Sequence, residues 1–365
     1  MTTIVFAAGG TGGHLYPAVA LAREFFRQDP DTRMLFVGTE RGIESKVLAH
    51  EGFELAMIAA QPVMGRGVLN AAGALLSLPR GLRQSLTLLR ERRVAFVLGV
   101  GGYTSLPVLL AARLLGVPRA ILEPNAYPGM ANKVLGPIAN LVFVAFREAA
   151  GHFSATKVRV TGMPVRQAFF ENAGTGHEAR GEQGRRTLLV FGGSQGARAI
   201  NDAMLGALPQ WAAMRGQLAI VHQTGEADHA RVTAAYERAG VQAEVVPFLF
   251  EMPKVLRSAD LVVSRAGAMT LAELTVCGKP AIVIPLPHAI YQHQAHNARV
   301  LADAGGAVVL PQQELTGGRL AQEIAALLRD PGRLRVMGER SREMGRPDAA
   351  QAIVQECLKL VKREA

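Results

Sequence analysis

Cysteine is almost missing from this chain of 365 residues. Its two cysteines, Cys277 and Cys357, are too few for a disulfide framework or a thiolate metal cage, which fits a reducing compartment. Aromatic residues make up 5%, with a single tryptophan. The basic residues at 80–93 interleave with leucine instead of stacking aromatics, which argues against a nucleic-acid partner. No apolar run suits a membrane span: the uncharged run at residues 94–112 is interrupted by Gly99, Gly101, Gly102, Tyr103, Thr104, Ser105 and Pro107. It reads as strand, loop and helix, so no transmembrane segment is expected. The first residues lack the basic region of a signal peptide, and their apolar run ends at once in glycine. No Gly-Lys-Ser/Thr is present, which removes the Walker loop. No G-x-G-x-x-G follows the first strand and no acidic residue ends the second, which removes the dinucleotide fingerprint.

What is present is a strand–glycine–helix opening. The apolar run 4–8 leads into Gly9-Gly10-Thr11-Gly12-Gly13 and His14, with Pro17 placed where a helix would begin. Backbone N–H groups at such a turn, with the positive helix end, suit an anion. The pattern recurs at Thr187–Phe191 and Gly192-Gly193-Ser194-Gln195-Gly196, after a polar, glycine-rich stretch at 171–186. Strands are expected at 3–8, 34–37, 95–100, 119–122, 141–144 and 158–160, then at 187–191, 218–222, 242–246, 261–263, 281–284 and 307–310. Helices are expected between them, including 17–28, 42–51, 75–90, 106–115, 129–135, 198–208 and 320–328, and at the tail 349–362. The expected fold class is α/β: two doubly wound, Rossmann-like parallel-sheet domains facing a cleft. The domains are placed at 1–162 and 163–345, with a C-terminal helix in 346–365 packing back on the first.

Ser264-Arg265-Ala266-Gly267-Ala268-Met269-Thr270-Leu271-Ala272-Glu273 is the most informative stretch of the second half. It follows a buried strand and opens a helix whose small first residues leave room for a diphosphate. Thr270 and Glu273 are three apart and share a helix face, where a carboxylate can accept from ribose hydroxyls. On spacing alone a carboxylate such as Glu273 is more often a solvated helix residue. In Tyr291-Gln292-His293-Gln294-Ala295-His296-Asn297, amides can read sugar hydroxyls, while the histidines lack metal-ligand spacing. Asp29-Pro30-Asp31 is a D-x-D, but it falls between a helix and a strand, away from the glycine turns. No metal ligand is expected.

Seven blocks, in order along almost the whole chain, resemble the MurG family of peptidoglycan N-acetylglucosaminyltransferases, which have the two-domain GT-B fold. They are 9–18, 99–107, Glu123-Pro124-Asn125 with Gly129 and Asn132, Thr161-Gly162-Met163-Pro164-Val165-Arg166, 192–197, 264–273, and Gln294 with Asn297-Ala298. The resemblance implies transfer of N-acetylglucosamine from UDP-N-acetylglucosamine (UDP-GlcNAc) to the C4 hydroxyl of the muramoyl residue of lipid I, with inversion, giving lipid II. It implies UDP-GlcNAc as a substrate and no cofactor. It also implies a donor site made of Arg166, Ser194, Leu249 by its backbone, Ala268, Met269, Thr270, Leu271, Ala272, Glu273 and Gln294, joined by Thr11, Gly12, Gly13 and Asn125 of the first half. Gly10, Tyr103, Thr104 and Asn132 would meet the acceptor. His14 would be the base or orient the acceptor, with Glu123 as rival base. Tyr291 and Leu106 depart from the family pattern.

Net charge is +10, and most of it lies in the first half: residues 1–162 hold 17 Lys/Arg against 10 Asp/Glu, the remainder 23 against 20. Leu75, Leu78, Leu82, Leu86 and Leu89 form a helical stripe flanked by Arg80, Arg83 and Arg90, with Arg92-Arg93 following. With a lipid-linked acceptor, this predicts peripheral binding to the anionic cytoplasmic face of the cell membrane. Other cell-wall synthesis proteins are compatible partners. The rival readings are a different GT-B UDP-sugar transferase or a UDP-GlcNAc 2-epimerase.

Overall fold

The computed structural model describes residues 2–9, 12–39, 44–61, 67–170, 185–214, 216–287 and 290–364. The chain packs as two compact units: Met1–Arg166 with Pro347–Ala365, and Gln167–Arg346.

The first unit runs β1 (Thr3–Ala7), α1 (Gly12–Gln28), β2 (Arg33–Gly38), α2 (Glu44–Glu51), β3 (Glu54–Met57), α3 (Gly67–Glu91), β4 (Val94–Gly99), α4 (Ser105–Leu114), β5 (Arg119–Glu123), α5 (Met130–Leu135), β6 (Leu141–Val144) and β7 (Val158–Val160). Its sheet is ordered β3-β2-β1-β4-β5-β6-β7 and every pairing is parallel. Strands covered on both faces must be apolar throughout, and β1 and β6 are buried at every position. The strand order reverses between β1 and β4. At that switch point the loops leaving the carboxyl ends of the strands diverge and open a crevice.

The second unit repeats the plan. It contains β8 (Arg186–Phe191), α6 (Arg198–Gly206), α7 (Leu208–Ala213), β9 (Leu218–Gln223), α8 (His229–Arg238), β10 (Ala243–Val246), α9 (Met252–Ser258), β11 (Leu261–Ser264), α10 (Ala268–Cys277), β12 (Ala281–Val283), α11 (His293–Asp303), β13 (Ala307–Val309), α12 (Gly317–Leu328) and α13 (Pro331–Met344). Its parallel sheet is ordered β10-β9-β8-β11-β12-β13, with the switch point between β8 and β11. The last helix, α14 (Ala349–Glu364), belongs to the first unit, where Ala349, Ile353, Val354 and Cys357 are fully buried and Glu356 pairs with Arg159 at 3.3 Å.

The structure departs from the sequence expectations at four elements. Helix α1 starts at Gly12, not near Pro17, so Pro17 lies inside it and has no N–H to give the Gly13 carbonyl. Strand β3 was not expected, because it is a short, half-exposed edge strand beginning with Glu54 and without β-branched residues. Helix α13 was not expected either. It is rich in Arg and Glu, and its start is fixed by Asp330, whose side chain accepts from the Arg333 N–H at 2.9 Å. The leucine stripe of α3 is a correction as well. Leu89 is buried and Leu82 and Leu86 pack against the core of the first unit, so its described C-terminal part faces protein. The Leu75 side chain and residues 171–184 of the polar stretch lie outside what the structure describes.

Candidate active site

In the first unit the site grows from the β1–β4 switch point. The Gly9 N–H donates to Thr104 Oγ1 at 2.9 Å, and Ser105 Oγ donates to the carbonyls of Ala7 and Gly101 at 3.1 and 2.9 Å. The loop after β4 is thereby stitched to the end of β1. That contact needs glycine at both Gly101 and Gly102, whose φ values are 103° and 81°. A Cβ on Gly102 would lie 1.9 Å from the Gly9 carbonyl oxygen. A Cβ on Gly101 would lie 2.8 Å from Cδ2 and 2.9 Å from Nε2 of His14. His14, in the first turn of α1, therefore rests its imidazole on bare backbone. Burial pushes its pKa down to about 4, so the ring is neutral at physiological pH. Gly12 and Gly13 precede it in the same turn. Gly10 and Thr11 lie outside the described residues. Tyr103 directs its hydroxyl at Thr39 Oγ1, 3.1 Å away, while Thr104 is fully buried and structural.

Glu123 ends β5 with no solvent exposure. Oε1 accepts from the N–H and Nδ2 of Asn125 at 2.9 and 3.2 Å, and Oε2 accepts from the Gly129 N–H and Asn132 Nδ2 at 3.0 and 2.8 Å. Burial raises its pKa, and these donors oppose the rise. Both oxygens are thus engaged in shaping the 124–129 loop, and no lone pair is left facing solvent. Asn132 also donates to the Leu122 carbonyl at 3.1 Å, while its Oδ1 is buried with no hydrogen-bond partner among the described residues. Arg166 places its guanidinium 4.9 Å from the centre of the Tyr16 ring, two residues beyond His14.

In the second unit the corresponding loops are 192–197 and 265–267. Ser194 is exposed in a tight turn closed by the Gly196 N–H donating to the Gly193 carbonyl at 2.8 Å. Helix α10 starts at Ala268 after Gly267, with no side-chain cap and no acidic residue in its first turn. The first backbone N–H groups, on Ala268, Met269 and Thr270, have no intrahelical partner and point outward with the positive end of the helix dipole. The Leu271 N–H is already taken by the Gly267 carbonyl at 2.9 Å and its side chain is buried, so it offers neither group to a ligand. Ala272 and Glu273 are half-buried one turn on. Arg265 is turned away, spanning to the carbonyl of Ile284 and to Gln312 Oε1 at 3.1 and 2.7 Å. Leu249 is buried beside Phe250, which is 81% exposed. Gln294 accepts the Leu286 N–H through Oε1 at 3.0 Å, bracing the segment after β12. Next to it Tyr291 and Gln292 adopt left-handed backbone, with φ of 54° and 52°.

The D-x-D motif sits before the amino end of β2, away from the carboxyl ends of the strands, where Asp29 accepts from the Asp31 N–H and Thr32 Oγ1 at 3.2 and 2.8 Å as a local turn. Among the described residues no three His, Cys, Asp or Glu side chains gather as metal ligands. Each unit therefore places expected residues at the carboxyl ends of its strands: His14 and Tyr103 at the β1–β4 switch point with Glu123, Asn125 and Asn132 after the neighbouring β5 in the first, and Ser194 and 268–270 at the β8–β11 switch point in the second. Sequence reasoning missed the support beneath them, namely Gly101 under His14 and Gln223, whose Nε2 donates to the Gly193 carbonyl at 2.9 Å. The Gly101-Gly102 pair is the signal that could have pointed to the first. Nothing in the sequence marks the second.

Comparison with known proteins follows the same division. The glycosyltransferase family 28 N-terminal domain matches residues 4–144 and the C-terminal domain of that family matches 187–353. A relative from Syntrophus aciditrophicus, a UDP-N-acetylglucosamine–N-acetylmuramyl-(pentapeptide) pyrophosphoryl-undecaprenol N-acetylglucosamine transferase, is 46% identical over 98% of this chain and 99% of its own length. The crystal structure of Acinetobacter baumannii MurG superposes with a TM-score of 0.79 at 29% identity, covering 98% of this chain and all of that one. A UDP-GlcNAc 2-epimerase from Neisseria meningitidis shares the fold, with a TM-score of 0.70 at 12% identity over 98% of this chain and 100% of that one.

Proposed function

The chain belongs to glycosyltransferase family 28, and from that premise we propose how its residues divide the reaction. It has the GT-B architecture and transfers N-acetylglucosamine from UDP-GlcNAc to lipid I in peptidoglycan synthesis. The observation that carries this is identity of 46% along the full length of a transferase of that specificity. The epimerase likeness is one of fold alone.

The reaction forms a bond from the acceptor C4 oxygen to the anomeric carbon, breaks that carbon's bond to the UDP oxygen, and releases one proton. A single displacement with inversion requires a base at the acceptor hydroxyl and positive charge at the departing diphosphate. In our reading His14 is the base. Its ring is already neutral, and Gly101 lets it stand at the mouth of the first switch point. Glu123 is assigned a positioning role instead: it is enclosed, and its four hydrogen bonds set the loop carrying Asn125 and Asn132. The uncapped N-terminus of α10 at Ala268–Thr270 and Ser194 would receive the diphosphate, Glu273 the ribose, Leu249 the uracil and Gln294 the sugar. Fixed N–H dipoles supply the charge in this reading, so the reaction runs without a metal ion. The first unit would thus take the acceptor and the second the donor.

Binding at the cytoplasmic face of the membrane is the remaining proposal. No helix among the described residues is long and apolar enough to cross a bilayer. With Leu82, Leu86 and Leu89 of α3 turned to the core, the contact would rest on its arginines. Arg80 and Arg83 edge a groove of about 410 Å³ floored by Met57, Ile58 and Leu88, and Arg90 is exposed on the same helix.

The test of function is transfer from labelled UDP-GlcNAc to a lipid I analogue in the presence of EDTA. Formation of the lipid II analogue is expected. Absence of transfer with and without added Mg²⁺ would overturn the function, and transfer only with Mg²⁺ would overturn the metal-free mechanism.

A further inference from the structure

The second unit contains a buried polar chain that the reaction as described does not use. His222 lies on β9 with no solvent exposure, its Nδ1 3.1 Å from Tyr236 Oη of α8 and its Nε2 3.0 Å from Asn201 Oδ1 of α6. The amide orientation of Asn201 is fixed from its other side. Nδ2 donates to the Thr224 carbonyl at 3.0 Å and to Asp228 Oδ2 at 2.9 Å, so Oδ1 can only accept. The hydrogen-bond pattern then assigns the His222 tautomer: Nε2–H donates to Asn201, and Nδ1 accepts from the tyrosine hydroxyl. Arg231 pairs with Asp228 at 3.0 Å, which neutralises the far end of the chain.

The near end of that chain meets the glycine turn. A Cβ on Gly196 would lie 1.9 Å from the Thr224 carbonyl oxygen, and one on Gly225 would lie 2.1 Å from the Gln195 carbonyl oxygen. The backbone of 224–225 therefore abuts the turn with no side chain between them, and any movement of Thr224 is passed directly to 193–196. Asn201 is tied to the same turn from behind, its N–H bonded to the Ala197 carbonyl at 3.0 Å.

We infer that His222 is a positioning residue for the donor turn: through Asn201 it holds the Thr224 carbonyl against Gly196, and so fixes the backbone that presents Ser194. This rests on the proposal that Ser194 meets the donor. A neutral imidazole suits the task, because it donates at one end and accepts at the other. Burial keeps it neutral by pushing its pKa down to about 4. Leucine fills similar volume but offers neither group. Glutamine can donate to Asn201 and accept from Tyr236.

The experiment is steady-state transfer with UDP-GlcNAc and a lipid I analogue, together with UDP binding by calorimetry, on wild type, Ser194→Ala, His222→Leu, His222→Gln and Asn201→Ser. The expected result is that His222→Leu and Asn201→Ser raise KM for UDP-GlcNAc and Kd for UDP by about tenfold, with kcat and the acceptor KM changed less than about threefold. His222→Gln is expected to recover most of that loss. Should His222→Leu fail to fold, Asn201→Ser gives the loss, and His222→Gln the near-wild-type value to set against it. A lowered melting temperature with unchanged KM and Kd would overturn the inference and leave His222 as packing only. If Ser194→Ala leaves the donor KM unchanged, it is the assignment of the turn that fails; absence of transfer by wild type overturns the function.

Discussion

Gly101 and His14 share one space: the position a Cβ would take on Gly101 is 2.8 Å from the imidazole Cδ2. The two lie on different segments leaving one switch point, α1 and the loop after β4, so the imidazole proposed as base is positioned by the absence of a side chain 87 residues away. Gly101→Ala is expected to displace the ring and to strain a backbone held at φ of 103°. Transfer should fall by about 100-fold. Gly116 supplies the control, having φ of 74° and nothing within 4 Å of its would-be Cβ. Gly116→Ala should carry only the left-handed strain of roughly 1–2 kcal/mol and leave kcat unchanged. Melting curves and turnover for the two variants check this.

His14→Gln is expected to lower kcat by about 10²- to 10⁴-fold, the usual range for a positioned base, with little change in UDP affinity. A base must be unprotonated to act, so activity is lost as pH falls through its pKa. With that value near 4, the acid limb of kcat/KM should lie well below 6.5, the ordinary histidine value. A limb centred near 6.5 would remove His14 from the role.

Glu123→Gln keeps the shape but sets an amide N–H₂ against backbone and side-chain donors. Losing bonds to a buried charged acceptor costs about 1.5–3 kcal/mol each. The variant is expected to melt earlier and to lose activity at all pH values together, with no shift of the acid limb. A displaced limb would return Glu123 to the place of base.

Acid sensitivity of stability follows from the same pair of buried imidazoles. His14 and His222 titrate near 4 when folded and near 6.5 when unfolded, so between those values the unfolded chain binds more protons. Stability therefore rises with pH across that window, by at most about 1.4 kcal/mol per pH unit for each histidine. Glu123, whose pKa burial raises, acts in the opposite direction as pH rises above the ordinary carboxylate value. Denaturant midpoints at pH 4.5, 5.5 and 6.5 isolate the histidine effect: His222→Gln should show a shallower dependence than wild type.

Vesicle binding should respond to the arginines of α3. Sedimentation with anionic vesicles is expected, weakening as salt rises, and Arg80→Glu with Arg83→Glu should reduce it several-fold. Equal binding to neutral and anionic vesicles would sink the electrostatic account.

The sequence by itself determined the two parallel sheets, because β1, β6, β8 and β11 carry short apolar runs, three of which (β1, β8 and β11) lead on to a glycine turn, and such runs fit buried strands. It also marked His14, Ser194 and Ala268–Thr270, since a chain leaving a buried strand through glycine into a helix exposes N–H groups wherever it occurs. It could not assign the direction of an amphipathic face. The α3 leucines have one period whether they meet lipid or core, and only packing against α4 and the sheet turned Leu82, Leu86 and Leu89 inward. It could not decide between two candidate bases either. His14 and Glu123 became distinguishable when the fold brought Asn125, Gly129 and Asn132 around one carboxylate and left the imidazole on Gly101. Local chemistry is written in neighbouring residues. Burial and long-range hydrogen bonding depend on which distant segments the topology makes adjacent, and these decided what each group can do.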